Sequence, residues 1–129
     1  MYITWLVASA FLCWFQVTSA SLIAARAWTP SGLGLAFGNR DAMPDADAFA
    51  ARARRAAANM VENLPLLAVI VLAGSLAKVP EATLDLGTAI FFWARIAHAA
   101  CYLAGVPYLR TLAWGTSLAG LGIIGVAAL

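Results

Sequence analysis

Long apolar runs without a single charge set the limits on what this chain can fold into. Residues 1–25 carry none, 66–74 carry none, and 111–129 carry none. A helix crossing a bilayer needs about 20 predominantly apolar residues, so 129 residues hold four such spans with short connections and no separate soluble domain. Composition agrees: 64% of residues are hydrophobic and 11% charged, with a mean hydropathy of +0.86, outside the usual balance of a soluble domain. The expected fold is all-α, an integral membrane four-helix bundle in one domain, with helices at about residues 1–25, 47–77, 81–104 and 108–129. The N-terminal run has no basic region ahead of it and continues beyond signal-peptide length, so it is expected to remain as the first span.

The connections carry their own signals. Residues 28–47 contain Pro30, Gly32, Gly34, Gly38, Asp41, Pro44 and Asp45 and read as a long loop with little periodicity. Asp45 or Asp47 is the expected N-cap of the second long helix, and Pro65 is expected to bend it by removing a backbone hydrogen bond. Gly115, Gly120, Gly122 and Gly125 suit the last helix to close packing. Arg26, Arg40, Arg52, Arg54, Arg55 and Arg110 fall on or beside the first and third connections, and Lys78 stands alone on the second. By the positive-inside rule the arginine-rich side is cytoplasmic and both termini lie on the other side.

Residues 52–65 place a polar stripe inside an apolar helix. At roughly 100° per residue, Arg52, Arg55, Asn59 and Glu62 share one narrow face. The third span repeats the device: Arg95, His98 and Tyr102 share a face among Phe91, Phe92, Trp93 and Ile96, and Arg110 follows one short break later. Both stripes lie toward the arginine-rich side, and the simplest packing points them at each other. Ionisable groups at membrane depth are expensive and mark function by default. Other readings stand beside that one: Arg52 and Arg54 as interfacial anchors, Glu62 as the counter-ion of Arg55 or Arg95, His98 as a hydrogen-bonded packing residue and Tyr102 as a helix-interface hydroxyl.

Together these groups suit a small anionic or zwitterionic molecule. Arginines offer forked donors to carboxylates, Glu62 accepts from an ammonium, and Asn59 both donates and accepts. An arginine such as Arg110 stabilises a thiolate, the nucleophilic form of a sulfur compound. Cys13 and Cys101 lack the spacing of a metal or disulfide framework, and no metal site is expected. A net charge of +2 is too small to indicate nucleic acid as a partner.

Arg55-Ala-Ala-Ala-Asn59-Met-Val-Glu62 followed by Pro65, together with Phe92-Trp-Ala-Arg95-Ile-Ala-His98-Ala-Ala-Cys-Tyr102 and Arg110, resembles the MAPEG family, the membrane-associated proteins in eicosanoid and glutathione metabolism. The likeness covers nearly the whole chain. It implies a homotrimer with glutathione as cofactor at the subunit interfaces, near the cytoplasmic side. Arg55, Asn59 and Glu62 then bind glutathione, Arg95, His98 and Tyr102 complete the pocket, and Arg110 is the catalytic residue that stabilises the thiolate. Arg26 resembles the arginine contributed by a neighbouring subunit, and Thr111 resembles the hydroxyl residue that follows the catalytic arginine in some members. The sequence departs from the pattern at Ala57 and Ala58, where relatives often carry polar side chains, and at Asn63, where some have tyrosine. The alanine-rich, lysine-poor composition points to a bacterial inner membrane protein.

The implied activity is a glutathione transferase, with peroxidase activity as a variant, acting on lipophilic small-molecule electrophiles or lipid hydroperoxides that enter from the membrane lipids. The alternative is a non-catalytic membrane trimer that binds a lipid or an anionic metabolite, or an accessory subunit of a larger membrane complex.

Overall fold

The computed structural model describes residues 1–129, all of the chain. Its regular structure is entirely helical: α1 (Tyr2–Ala25), α2 (Pro30–Phe37), α3 (Ala48–Leu76), α4 (Glu81–Ala104) and α5 (Pro107–Ala127). The helices α1, α3, α4 and α5 are each long and apolar enough to cross a membrane, so the protein is an integral membrane four-helix bundle. Phe11, Trp14 and Phe15 on α1 and Leu66, Val69 and Leu72 on α3 are exposed on the subunit surface. In water such a surface would be unstable, but it suits lipid and neighbouring helices. Inside, Met60 and Leu67 of α3 meet Phe91 and Leu84 of α4 and Ile124 of α5, all almost completely buried. Toward the N-terminus of α1, Trp5 packs against Phe92 and Trp93 with ring centroids 5.5 and 6.2 Å apart.

Helix ends follow local chemistry. The Asp47 carboxylate accepts from the Ala50 amide at 2.7 Å and starts α3. Gly105, with φ of 76°, ends α4 in the left-handed conformation that glycine adopts without strain. Pro107 then occupies the first turn of α5, one residue earlier than expected, where its missing N–H has no intrahelical partner to lose. Helix α3 continues through Pro65. Two residues earlier, Asn63 Nδ2 donates to the Asn59 backbone carbonyl at 2.7 Å, adding a side-chain bond to the helix just before the proline.

The stretch expected to be an irregular loop contains α2. Thr29 accepts from the Gly32 amide at 3.0 Å and Pro30 opens the helix, so residues that read as breakers are a helix start. The Gly32 Cα lies against the carbonyl oxygens of Ala25 and Arg26, with no room for a side chain. Beyond α2, Arg40 Nη1 donates to Ser21 Oγ at 2.7 Å and returns the chain to α1.

The most extensive helix pair is α4 with α5. A methyl group on Gly87 would sit 2.7 Å from the Gly120 carbonyl oxygen, and one on Gly120 would sit 2.6 Å from the Gly87 carbonyl oxygen. Of the four glycines expected to serve close packing, Gly120 does so within the subunit; Gly115, Gly122 and Gly125 face open space. Gly120→Val is therefore expected to destabilise the detergent-solubilised protein by about 1–3 kcal/mol through overpacking. Gly122→Ala should change stability by less than about 0.5 kcal/mol. Unfolding midpoints for the two variants check the contrast.

Candidate functional site

Short turns at residues 77–80 and 105–106 make α3, α4 and α5 run alternately up and down. The start of α3, the end of α4 and the start of α5 thus share one end of the bundle, and this brings the two polar stripes together. Tyr102, two residues before the end of α4, stands at their meeting point. The Arg110 guanidinium lies over its ring, 4.8 Å from the centroid, and that of Arg55 lies 6.0 Å away. Both are cation–π distances. The His98 ring, one turn back on α4, meets Tyr102 edge to face at 5.4 Å.

Two adjoining cavities share Tyr102 and Arg110 in their walls. One, of about 200 Å³, is completed by Arg52, Arg55, Cys101 and the turn at residues 105–107. The other, of about 230 Å³, is completed by Asn59, His98, Thr111 and Trp114. Neither wall contains an aspartate or a glutamate. Three guanidinium groups gathered without an acid form a place for an anion.

Arg95 lies deeper. It is 1% exposed and lines neither cavity. Its Nη2 donates to Asn59 Oδ1 at 2.8 Å, while Nε and Nη1 have no acceptor in the protein. His98 is also buried, with Nδ1 unpartnered. Glu62 is exposed and opens onto a different concavity, the largest of the subunit at about 810 Å³, between α1, α3 and residues 40–46. Arg40, Asp45 and Arg54 also line it, so charge there is mixed rather than one-signed. Size and chemistry therefore point to different places, and the one-signed donor cluster at Tyr102 is the more specific recognition surface. Arg26 is exposed and caps α1 with φ of 52°, outside these cavities.

The structure thus gathers Arg55, Asn59, His98, Tyr102 and Arg110, sets Arg95 behind Asn59, and turns Glu62 toward the neighbouring face of α3. With its guanidinium donating to Asn59, Arg95 is not held by Glu62 as a counter-ion. Two wall residues escaped the sequence reading. Cys101, to which cysteine spacing assigned no role, is half-buried at the cavity rim; its place beside Tyr102 was the available signal. Trp114 lies one turn after Arg110, the spacing that shares a helix face.

Arg52, read from sequence as an anchor, has a defined task. Its Nε donates to the Leu103 carbonyl at 3.1 Å, satisfying an oxygen that the end of α4 leaves without a helical partner. Arg52→Leu is expected to lower stability by about 1–2 kcal/mol, whereas the exposed Arg54→Ala should cost less than about 0.5 kcal/mol. Thermal unfolding of both variants measures the difference.

No curated protein matches the chain significantly. Against known families, residues 2–129 match the MAPEG family, essentially from end to end. With four membrane-spanning helices and a matched region that takes in every residue of the site, the chain belongs to the MAPEG family.

Proposed function

We propose that this chain is the subunit of a glutathione-dependent membrane transferase or peroxidase acting on lipophilic electrophiles or lipid hydroperoxides. Family membership makes it a membrane protein of the glutathione-transferase and eicosanoid-synthesis group. The observation that carries the finer reading is the cluster of Arg52, Arg55 and Arg110 around Tyr102 with no acid in the cavity walls.

Glutathione fits these residues by its functional groups. It carries two carboxylates, an ammonium, two peptide units and a thiol, and it would supply the nucleophilic sulfur. Arg55 presents a fork to a carboxylate, Asn59 an amide to a peptide or carboxylate group, and the buried His98 an unpartnered ring nitrogen. Glu62, which opens onto the neighbouring concavity, is assigned the ammonium of a glutathione molecule that reaches from the Tyr102 cluster across that face of α3. Arg110, held over the Tyr102 ring, places a fixed positive charge where a thiolate forms, and Thr111 adds a hydroxyl on the same wall. A preorganised charge of this kind favours the ionised sulfur without reorganisation.

The position of Glu62 favours assembly. It lies fourteen residues from each end of α3, about 21 Å of helix either way, and it is exposed in the single subunit. A carboxylate at mid-span needs cover, and a second and third copy supply it in a homotrimer, with Arg26 of a neighbour completing the site. Six arginines at the site end of the bundle, against Lys78 at the other, favour a cytoplasmic site in a bacterial inner membrane, with both termini periplasmic.

Adding glutathione to the purified protein is expected to raise the thiolate absorbance at about 240 nm, and Arg110→Ala should abolish that rise and lower kcat by about 10²–10³-fold. An unchanged spectrum at saturating glutathione would reject the catalytic reading. Glu62→Ala is expected to weaken glutathione binding about 10–100-fold in calorimetry while leaving the trimer intact. Loss of the trimer with binding per subunit preserved would instead make Glu62 a structural ion.

A further inference from the structure

We infer that Arg95 is a positioning residue: it locks the Asn59 side-chain amide with Oδ1 turned inward, so that Asn59 meets the ligand of the adjoining cavity only as a hydrogen-bond donor, through Nδ2, to a carbonyl or carboxylate oxygen. This deepens the function proposed above and rests on the cavity at Tyr102 being the glutathione site.

An asparagine amide can face a neighbour either way round, and on an apolar helix nothing intrinsic decides which. Arginine has donors and no acceptor. The 2.8 Å contact from Arg95 Nη2 therefore admits only Oδ1, because the reversed amide would set N–H groups against N–H groups. The carbonyl of Asn59 is engaged separately, by Asn63 Nδ2 at 2.7 Å. Nδ2 is what remains to face the cavity that Asn59 lines with His98, Tyr102 and Arg110.

Burial separates this role from direct recognition. Arg95 is 1% exposed and Asn59 stands between it and the cavity wall. The Arg95 guanidinium also lies 6.0 Å from the Phe91 ring centroid, which fixes it from the side. A guanidinium kept in an apolar bundle for structural reasons alone is ordinarily matched with a carboxylate; here its one protein acceptor is the neutral oxygen of a residue in the site. The energetic cost of burying that charge goes into the orientation of one amide. The ligand atom opposite Asn59 is consequently an acceptor, which suits a peptide carbonyl or carboxylate of glutathione and excludes its ammonium from that position.

Arg95→Gln tests the role with little change in polarity, because a glutamine amide can pair with Asn59 in either orientation and so no longer selects one. Glutathione affinity, measured by calorimetry on the intact oligomer, is expected to fall about 3–10-fold in Arg95→Gln and to recover in Arg95→Lys, which again offers only donors. Asn59→Asp, which keeps an acceptor for Arg95 and removes the donor, should lose affinity at least as much. In an Asn59→Ala background, Arg95→Gln should cost nothing further. Full additivity of the two losses, or Arg95→Lys no better than Arg95→Gln, would overturn the inference by making Arg95 a direct ligand contact or a packing residue. The same cycle read as thermal stability without ligand must show coupling between the two positions; its absence also overturns the pairing. Failure of the wild type to bind glutathione would reject the cofactor assignment, while the stability cycle still judges whether Arg95 and Asn59 act together.

Discussion

The scarcity of partners for charge inside a bilayer governs this molecule. A polar side chain carried to membrane depth is costly without a partner, and several here find one where the helices pack. Arg95 reaches Asn59, Arg55 and Arg110 lie against the face of Tyr102, and Arg52 ends on an orphan carbonyl at the end of α4. These contacts join α3 to α4 and α4 to α5 at one end, while the other half of the bundle is closed by apolar side chains around Phe91, Leu84 and Ile124. Site and scaffold therefore use different currencies of cohesion.

That division explains what the sequence disclosed. The four spans were legible because a bilayer permits little besides apolar helices, and the two polar stripes were legible because the helical period puts residues three and four apart on one face. Joining the stripes required only that neighbouring helices run in opposite directions. The family likeness of the motifs at Arg55 and Arg95 was borne out by the match over residues 2–129.

Other features were not legible, for reasons that differ. Helix α2 hid because Thr29, Pro30 and Gly32 serve helix starts as readily as turns; what decides is the close seat of Gly32 on the end of α1, a tertiary fact. Gly120 could not be singled out from Gly115, Gly122 and Gly125, since only the partner Gly87 distinguishes it. The stripe on α3 looked like one face, yet a spread of a quarter-turn is enough to put Asn59 against α4 and leave Glu62 looking past α1. Periodicity gives direction to within a helix face; depth and neighbour come from packing.

The glycine crossing of α4 and α5 bears on the site as well as on packing. With backbones touching at Gly87 and Gly120 and the chain reversing tightly at residues 105–106, the two helices are clamped at separated points along their length. They form one packed unit. Tyr102 and Arg110 sit beside that turn, so their stacking is set by α4 and α5 alone. Arg55 and Asn59 approach from α3, and the contacts of Arg52, Arg55 and Arg95 tie that helix to α4 beside Tyr102, so the two walls of the cavities are held against each other.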